Sequence, residues 1–404
     1  MNKIKFFIIN LLKKIIVKFL RLFIRRNNRY YMFYAKMFKS GKIYEDVFLH
    51  NTKYLFLYLT NKKEKILHIT WLCDDETIRS NLKKHGYNNI YSQKSLKGIY
   101  YALRSKYWFY DFDPYTIKTH LIDGATLINC WHGIPLKKIA KDNNEYPIRP
   151  FIEQKIYDFF KKKTDYYITN GEFDSSCFKT ALSAEEKSLI TLGSPRLDVL
   201  FKDFQNAEMF MEKDFINIKS MYEQGKKLFI YMPTFRDTGK NISSWLKSDR
   251  LRQFLCVNNA ILICKLHPID KNSLNFELGK EFYKMDSKSD VYPILKYTQS
   301  LITDYSSIYY DYLLLNKSII YYVPDLIEYQ EKCHGFYRPY EELTAGIKTY
   351  NEDELINAMQ NVIDGKDDYK EQRKLLRDKM FKYQDGRNCE RVVEWIKSLD
   401  NKEK

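Results

Sequence analysis

The chain has 404 residues, which suits two α/β domains better than one core. Lys and Arg exceed Asp and Glu by 67 − 51 = 16, so the expected partners carry negative charge: an anionic membrane surface, phosphorylated substrates or nucleic acid. The seven cysteines form no CxxC pair, which argues against a zinc site or a disulfide framework and for reduced thiols.

The first predicted element is a basic helix over residues 1–29. Lys13, Lys14, Lys18 and Arg21 interrupt its apolar runs, so none approaches the roughly eighteen residues that span a bilayer. No apolar core followed by small residues marks a signal peptide. On a helical projection Lys3, Asn10, Lys14, Lys18, Arg21 and Arg25 share one side, and Ile8, Leu12, Ile15, Phe19 and Phe23 the other. That pattern fits a helix lying in a membrane interface; the competing reading is a helix that covers another element's core.

Residues 30–64 are aromatic and basic and give no clear element. Strands are then predicted at 66–72, 107–112, 125–130 and 166–169, with a helix at 173–182. Residues 201–226, polar and rich in both charge signs, read as the crossing between domains. Beyond them, strands at 228–232, 260–265, 300–303 and 318–323 alternate with helices at 242–254, 291–297 and 308–315. Two or three amphipathic helices follow Glu352. The expected architecture is α/β: two facing Rossmann-like domains with parallel sheets (30–200 and 227–385), closed by a C-terminal helix over 386–404.

Five short segments sit at predicted strand ends: 131–137 (WHGIPLK), 193–198 (GSPRLD), 233–237 (PTFRD), 265–268 (KLHP) and 303–307 (TDYSS). Singly, each has a structural reading. A His after a strand is commonly a hydrogen bonder, an Arg-Asp pair a salt bridge, and Ser-Ser a helix cap. Together they fall where a doubly wound fold builds its site. Arg236 offers a fork of donors suited to phosphate. His267 can neutralise or protonate a phosphate oxygen, and Ser306 and Ser307 open a helix that can bind a further anion. Neither GxxxxGK[ST] nor GxGxxG is present, so side chains and a helix start would hold the phosphates of a nucleotide diphosphate donor. Asp237, Asp304 and Asp311 show no metal-ligand spacing, so no tightly bound metal or other cofactor is expected; a need for Mg²⁺ stays open.

The five segments in this order, followed by 325–329 (DLIEY) and 335–337 (GFY), resemble the CDP-glycerol glycerophosphotransferase family. These are the primases and polymerases of wall teichoic acid and related capsule polymers, and the resemblance runs over residues 127–340. It implies a GT-B fold and a peripheral enzyme on the cytoplasmic face of the cell membrane. The implied reaction moves glycerol phosphate from CDP-glycerol to a hydroxyl of a lipid-linked or glycan acceptor and releases CMP. Carried onto matching positions, His132 becomes the catalytic base or acceptor-orienting group. Arg236 and His267 hold the donor diphosphate, His267 with a catalytic share, and Asp304, Ser306 and Ser307 complete the donor site. Lys137 and Arg196 face the cleft on the acceptor side. The family's usual Thr after WHG is Ile134 here, and an Asn common before the Asp of GxPR is Leu197. Three rival readings remain. One keeps the chemistry with CDP-ribitol as donor. Another is a GT-B nucleotide-sugar glycosyltransferase, with Glu328 gripping the ribose or sugar. The third is a non-catalytic basic module, which explains the charge but not five ordered motifs. No nucleic-acid partner is expected. In the 325–340 segment, Tyr329 and Phe336 either stack on cytosine or pack.

Overall fold

The computed structural model describes residues 3–40, 43–62, 66–112, 120–143, 155, 162–234, 236, 244–266, 279–332 and 335–402. Two parallel sheets organise it. The first contains β1 (Asn27–Phe33), β4 (His68–Leu72), β5 (Ile90–Tyr91), β6 (Ser105–Tyr110), β7 (Thr126–Asn129), β8 (Tyr166–Thr169) and β9 (Leu189–Thr191), in the order β5-β4-β1-β6-β7-β8-β9. A small antiparallel hairpin, β2 (Lys36–Ser40) and β3 (Ile43–Asp46), follows β1. The second sheet contains β10 (Lys227–Met232), β11 (Ala260–Cys264), β12 (Phe282–Lys284), β13 (Ser300–Thr303), β14 (Ser318–Tyr322) and β15 (Ile347–Thr349), in the order β12-β11-β10-β13-β14-β15.

Strands such as Ala-Ile-Leu-Ile-Cys in β11 and Ser-Leu-Ile-Thr in β13 are buried along their whole length. Continuous burial is what a parallel sheet covered on both faces demands, and it explains why these runs were legible as strands. In each sheet the chain starts in the middle and reverses its direction of travel, between β1 and β6 in the first and between β10 and β13 in the second. Such reversal points open a crevice beyond the carboxyl ends of the strands.

Residues 30–64, unassigned from sequence, supply the middle strand β1, the hairpin and the helix α2 (His50–Asn61). The basic N-terminal helix, α1 (Lys3–Phe23), ends before residue 29, and 27–29 already belong to β1. It serves two surfaces. Val17 and Leu20, with Ile24 just beyond the helix, pack on a cluster containing Met32, Trp108 and Leu121, while Ile8, Leu12, Ile15, Phe19, Leu22 and Phe23 stay exposed. The helix expected over 242–254 begins, in its described part, as a 3-10 turn at Ser244–Lys247 and continues as Asp249–Val257. That expected over 308–315 is an α-helix only over Ile308–Tyr312, with a 3-10 turn at Leu313–Leu315.

The two halves are joined twice. The chain crosses through the turns after Leu200 and the helix Glu212–Glu223, and the final helix, Asn388–Lys402, returns to the first sheet. There Cys389, Val392, Val393 and Ile396 pack with Tyr31, Phe33 and Phe109. Buried ion pairs also cross the interface. Lys53 Nζ donates to Asp290 Oδ2 at 2.8 Å, Tyr54 OH donates to the same oxygen at 2.8 Å, and Arg196 Nη2 meets Asp311 Oδ2 at 2.7 Å. In an environment this dry, each pair holds only because both partners are present.

Candidate active site

The first wall of the cleft is built at the carboxyl ends of β1, β6 and β7. β7 ends at Asn129, whose side-chain oxygen accepts from Trp131 N at 2.8 Å and whose amide donates to Phe112 O at 3.1 Å. This turns the chain sharply, with Trp131 in the left-handed region at φ 53. Asn51, near the head of α2, fastens the turn from behind by donating to the carbonyls of Cys130 (2.9 Å) and Trp131 (2.7 Å). Its own oxygen accepts from Arg196 N at 3.1 Å.

The His132 ring is thereby fixed between Phe112, stacked at 4.3 Å, and Trp131, at 4.7 Å. Its Nδ1 lies 3.1 Å from Asp111 O. A carbonyl can only accept, so Nδ1 carries the proton and Nε2 keeps its lone pair. The Asp111 carboxylate is itself held by Thr52, which donates from both its backbone N and its hydroxyl. Burial, with a further push from the Arg196 charge, lowers the His132 pKa to about 4, so the ring is a neutral base at ordinary pH.

The second wall lies at the ends of β10 and β13. Asp304 Oδ1 accepts from Thr234 N at 2.8 Å and from Tyr305 N, and Tyr340 OH donates to Asp304 O at 2.8 Å. These bonds set the Asp304–Ser307 turn. Ser307 heads the helix Ile308–Tyr312 yet makes no capping bond with its side chain, and both serines are partly exposed. The plain N-cap reading therefore does not describe Ser307.

Arg236 is the largest departure from expectation. Its Nε and Nη2 donate to Asp325 at 2.7 and 3.1 Å, Nη2 also meets Asp304 at 2.9 Å, and Nη1 donates to Thr234 O at 2.7 Å. The guanidinium lies 4.8 Å from both the Tyr305 and Tyr329 ring centres, which stack on each other at 3.7 Å. The fork read from sequence as open to phosphate is closed here on two carboxylates and a carbonyl. Burial opposes the ionisation of Asp325, but Arg236 outweighs it and holds that carboxyl below the usual range; Asp304, fully buried, is pushed up.

The two walls meet. A Cβ placed on Gly133 would lie 3.3 Å from Ser307 Oγ and 3.8 Å from Arg196 Nη2, so the His132 turn stands close against the serine, and a side chain at 133 would need the Ser307 hydroxyl to give way slightly. Arg196 is fully buried rather than open to the cleft. It donates to Tyr292 OH at 2.7 Å and to Asp311, which together raise its pKa against the cost of burial. Lys137 reaches the other half, its Nζ donating to Tyr329 OH at 3.1 Å. Beside it, residues 136–138 pair with 335–337: Lys138 N donates to Gly335 O at 2.9 Å and Tyr337 N to Leu136 O at 3.2 Å. His267 and Asp237 lie outside the described residues. Sequence reasoning missed His50, Asn51, Thr52, Asp111 and Phe112. The one available signal was a polar run, His50 to Lys53, heading an otherwise apolar segment. Among the described residues no group of three or more His, Cys, Asp or Glu is arranged to hold a metal ion.

Comparison with known proteins bears on the family and the fold. The model of the family described as CDP-Glycerol:Poly(glycerophosphate) glycerophosphotransferase matches residues 30–398. A teichoic acid poly(glycerol phosphate) polymerase of Bacillus spizizenii is 31% identical over 79% of this chain and 81% of its own length. A teichoic acid ribitol-phosphate polymerase of Staphylococcus aureus is 30% identical over 79% of this chain, which spans 58% of that longer protein. A solved structure of the wall teichoic acid polymerase TagF, soaked with CDPG, superposes with a TM-score of 0.73 at 20% identity, covering 94% of this chain and 91% of that one. At that identity the likeness speaks for the fold.

Proposed function

The chain belongs to the CDP-glycerol:poly(glycerophosphate) glycerophosphotransferase family, and from that premise we propose how its two walls divide the reaction. It is a CDP-glycerol-dependent glycerophosphotransferase of teichoic acid synthesis. The donor lies against the second wall, its phosphates at Ser306, Ser307 and the adjacent backbone N–H groups, with His267 as a further phosphate contact. Arg236, braced by Asp304 and Asp325, fixes the shape of that wall and lends its positive charge to the donor side.

The acceptor hydroxyl enters on the first wall. His132 Nε2 takes its proton, the oxygen bonds to the glycerol-bearing phosphorus, and the bond from that phosphorus to CMP breaks. A neutral imidazole already in the right tautomer supplies general-base catalysis, and close approach of the walls supplies positioning. The observation that supports this reading is Gly133 lying against Ser307, which sets the turn bearing His132 beside the turn bearing Ser307. The test measures CMP release from CDP-glycerol, CDP-ribitol and nucleotide sugars with a lipid-linked acceptor. CDP-glycerol should be turned over fastest, and His132→Ala should stop turnover while CDP-glycerol still titrates. Full activity in that variant would remove His132 as the base.

We place the protein peripherally on the cytoplasmic face of the membrane, and the exposed apolar side of α1 supports the membrane contact. Leu12, Ile15, Phe19, Leu22 and Phe23 would enter the acyl boundary, with exposed Lys13, Lys18 and Arg25 beside them, each cation adding about 1 kcal/mol near anionic headgroups. No helix among the described residues is long and apolar enough to cross a membrane. In a flotation assay with phosphatidylglycerol-rich vesicles, Phe19→Glu should leave the protein unbound; equal flotation would refute the placement.

A further inference from the structure

The site described so far uses one imidazole on the acceptor wall, yet the fold places two there. His50 stands at the head of α2, which the hairpin delivers from β1, and Asp111 and Phe112 follow β6 directly. β1 and β6 are the strands between which the first sheet reverses, where an open parallel sheet receives its ligand. The His50 ring lies 6.3 Å from the His132 ring and meets Phe112 edge-on at 5.3 Å; Phe112 in turn stacks on His132. Two imidazoles at that centre-to-centre spacing can share one bridging oxygen with ordinary hydrogen-bond lengths of about 2.8 Å on each side.

Three facts separate His50 from a packing residue. Its Nε2 is shielded from solvent and has no hydrogen-bond partner among the described residues. Its backbone is left-handed at φ 61, a conformation that costs a non-glycine residue about 1 kcal/mol. Arg196, near enough to disfavour charge on His50, leaves Nη1 buried and unpartnered among the described residues as well. A buried donor or acceptor left unmade costs roughly 1–3 kcal/mol, so two such groups beside the reactive imidazole call for an occupant. That occupant must offer oxygens that both donate and accept, and a polyol does.

Resting on the transferase reading above, we propose that His50 binds and orients the acceptor alcohol, hydrogen-bonding its polyol through Nε2 while His132 takes the proton. His50 neither gains nor loses a proton in the transfer. The proton goes to His132 Nε2, the new O–P bond forms, and CMP leaves with the electrons of the broken P–O bond. The pairing makes His50 a specificity element on the acceptor side, separate from the donor wall.

The test uses His50→Asn and His50→Gly in the full chain, because both residues accept a left-handed backbone and so remove the imidazole without adding strain. The probes are CDP-glycerol and a lipid-linked acceptor ending in glycerol phosphate. Both variants should lose about tenfold in kcat/KM for the acceptor, the worth of one well-made hydrogen bond, with CDP-glycerol affinity by calorimetry unchanged. Unchanged acceptor kcat/KM in both would overturn the assignment. So would a loss of CDP-glycerol binding in step with turnover, which would place His50 in the donor site or the scaffold. If the wild-type chain itself released no CMP from CDP-glycerol, the transferase reading would fall and this one with it.

Discussion

Lowering the pH from 7 to 5 draws a destabilising contribution from His132 and His50, opposed by Asp111 and Asp174, whose burial raises their carboxyls to about 8 and about 6, so the histidine share is read as a difference between variants. Burial comes first in depressing both, to about 4 for His132 and about 3 for His50, so at pH 5 the folded protein keeps both rings neutral. In the unfolded chain each titrates near 6.5 and is almost fully protonated at pH 5. The proton taken up on unfolding is then worth about 2 kcal/mol per imidazole, against about 0.2 kcal/mol at pH 7. Because the folded values are depressed, the stabilising contribution is complete above 6.5 and drains away as pH falls toward and through the folded values. Replacing His132 by Gln removes one such group. That variant should lose about 2 kcal/mol less than wild type between pH 7 and pH 5, and a His50→Gln, His132→Gln double variant about 4 kcal/mol less. Urea unfolding at the two pH values measures this, with fluorescence of Trp131, stacked on His132, as a local reporter. Parallel pH dependence in wild type and double variant would refute the claim that these rings are held uncharged.

Other perturbations probe the rest of the site. Ser307→Ala should raise the KM for CDP-glycerol by about tenfold with little change in unfolding, since Ser307 Oγ caps nothing; an unchanged KM would remove it from the donor wall. Gly133→Ala puts a methyl 3.3 Å from Ser307 Oγ and should lower kcat while the urea midpoint barely moves. Full kcat would mean that the walls need not approach so closely. Arg196→Met strands the Asp311 carboxylate and should cost about 3–5 kcal/mol, read as a lower Tm, whereas adding Asp311→Asn should restore part of it. Equal Tm values in the single and double variants would contradict the pairing.

The parallel strands of both sheets were legible wherever they are short apolar runs buried on both faces, as at β11 and β13. β1 was not, although it lies in the middle of its sheet, because its polar start, Asn-Asn-Arg, runs on from the basic helix and its aromatic half, Tyr-Tyr-Met-Phe, is set in a stretch rich in aromatic and basic residues with no turn signal to bound it. Its fit comes from aromatic neighbours on β6, such as Tyr107 against Tyr31 at 5.4 Å and Phe109 against Phe33 at 4.8 Å. The polar head of α2 was illegible for a related reason: Lys53 is satisfied by Asp290, 237 residues away. Arg236 shows the same limit at the site. Its suitability for phosphate was read from chemistry alone, and nothing nearby in sequence announced that Asp304 and Asp325 would already occupy its fork. The places of His132 and Ser307 in the fold were legible because each follows a strand whose end could be counted.

The cross-interface ion pairs bear on how this protein can be divided. Cutting the connection near Gly225 would give one fragment with Lys53 and Arg196 stripped of their anions, and another with Asp290 and Asp311 stripped of their cations. Neither fragment would keep its own edge dry. The lobes are thus not modular parts that evolution or an engineer can shuffle with lobes from a relative one at a time; an exchange has to carry both members of each bridge together.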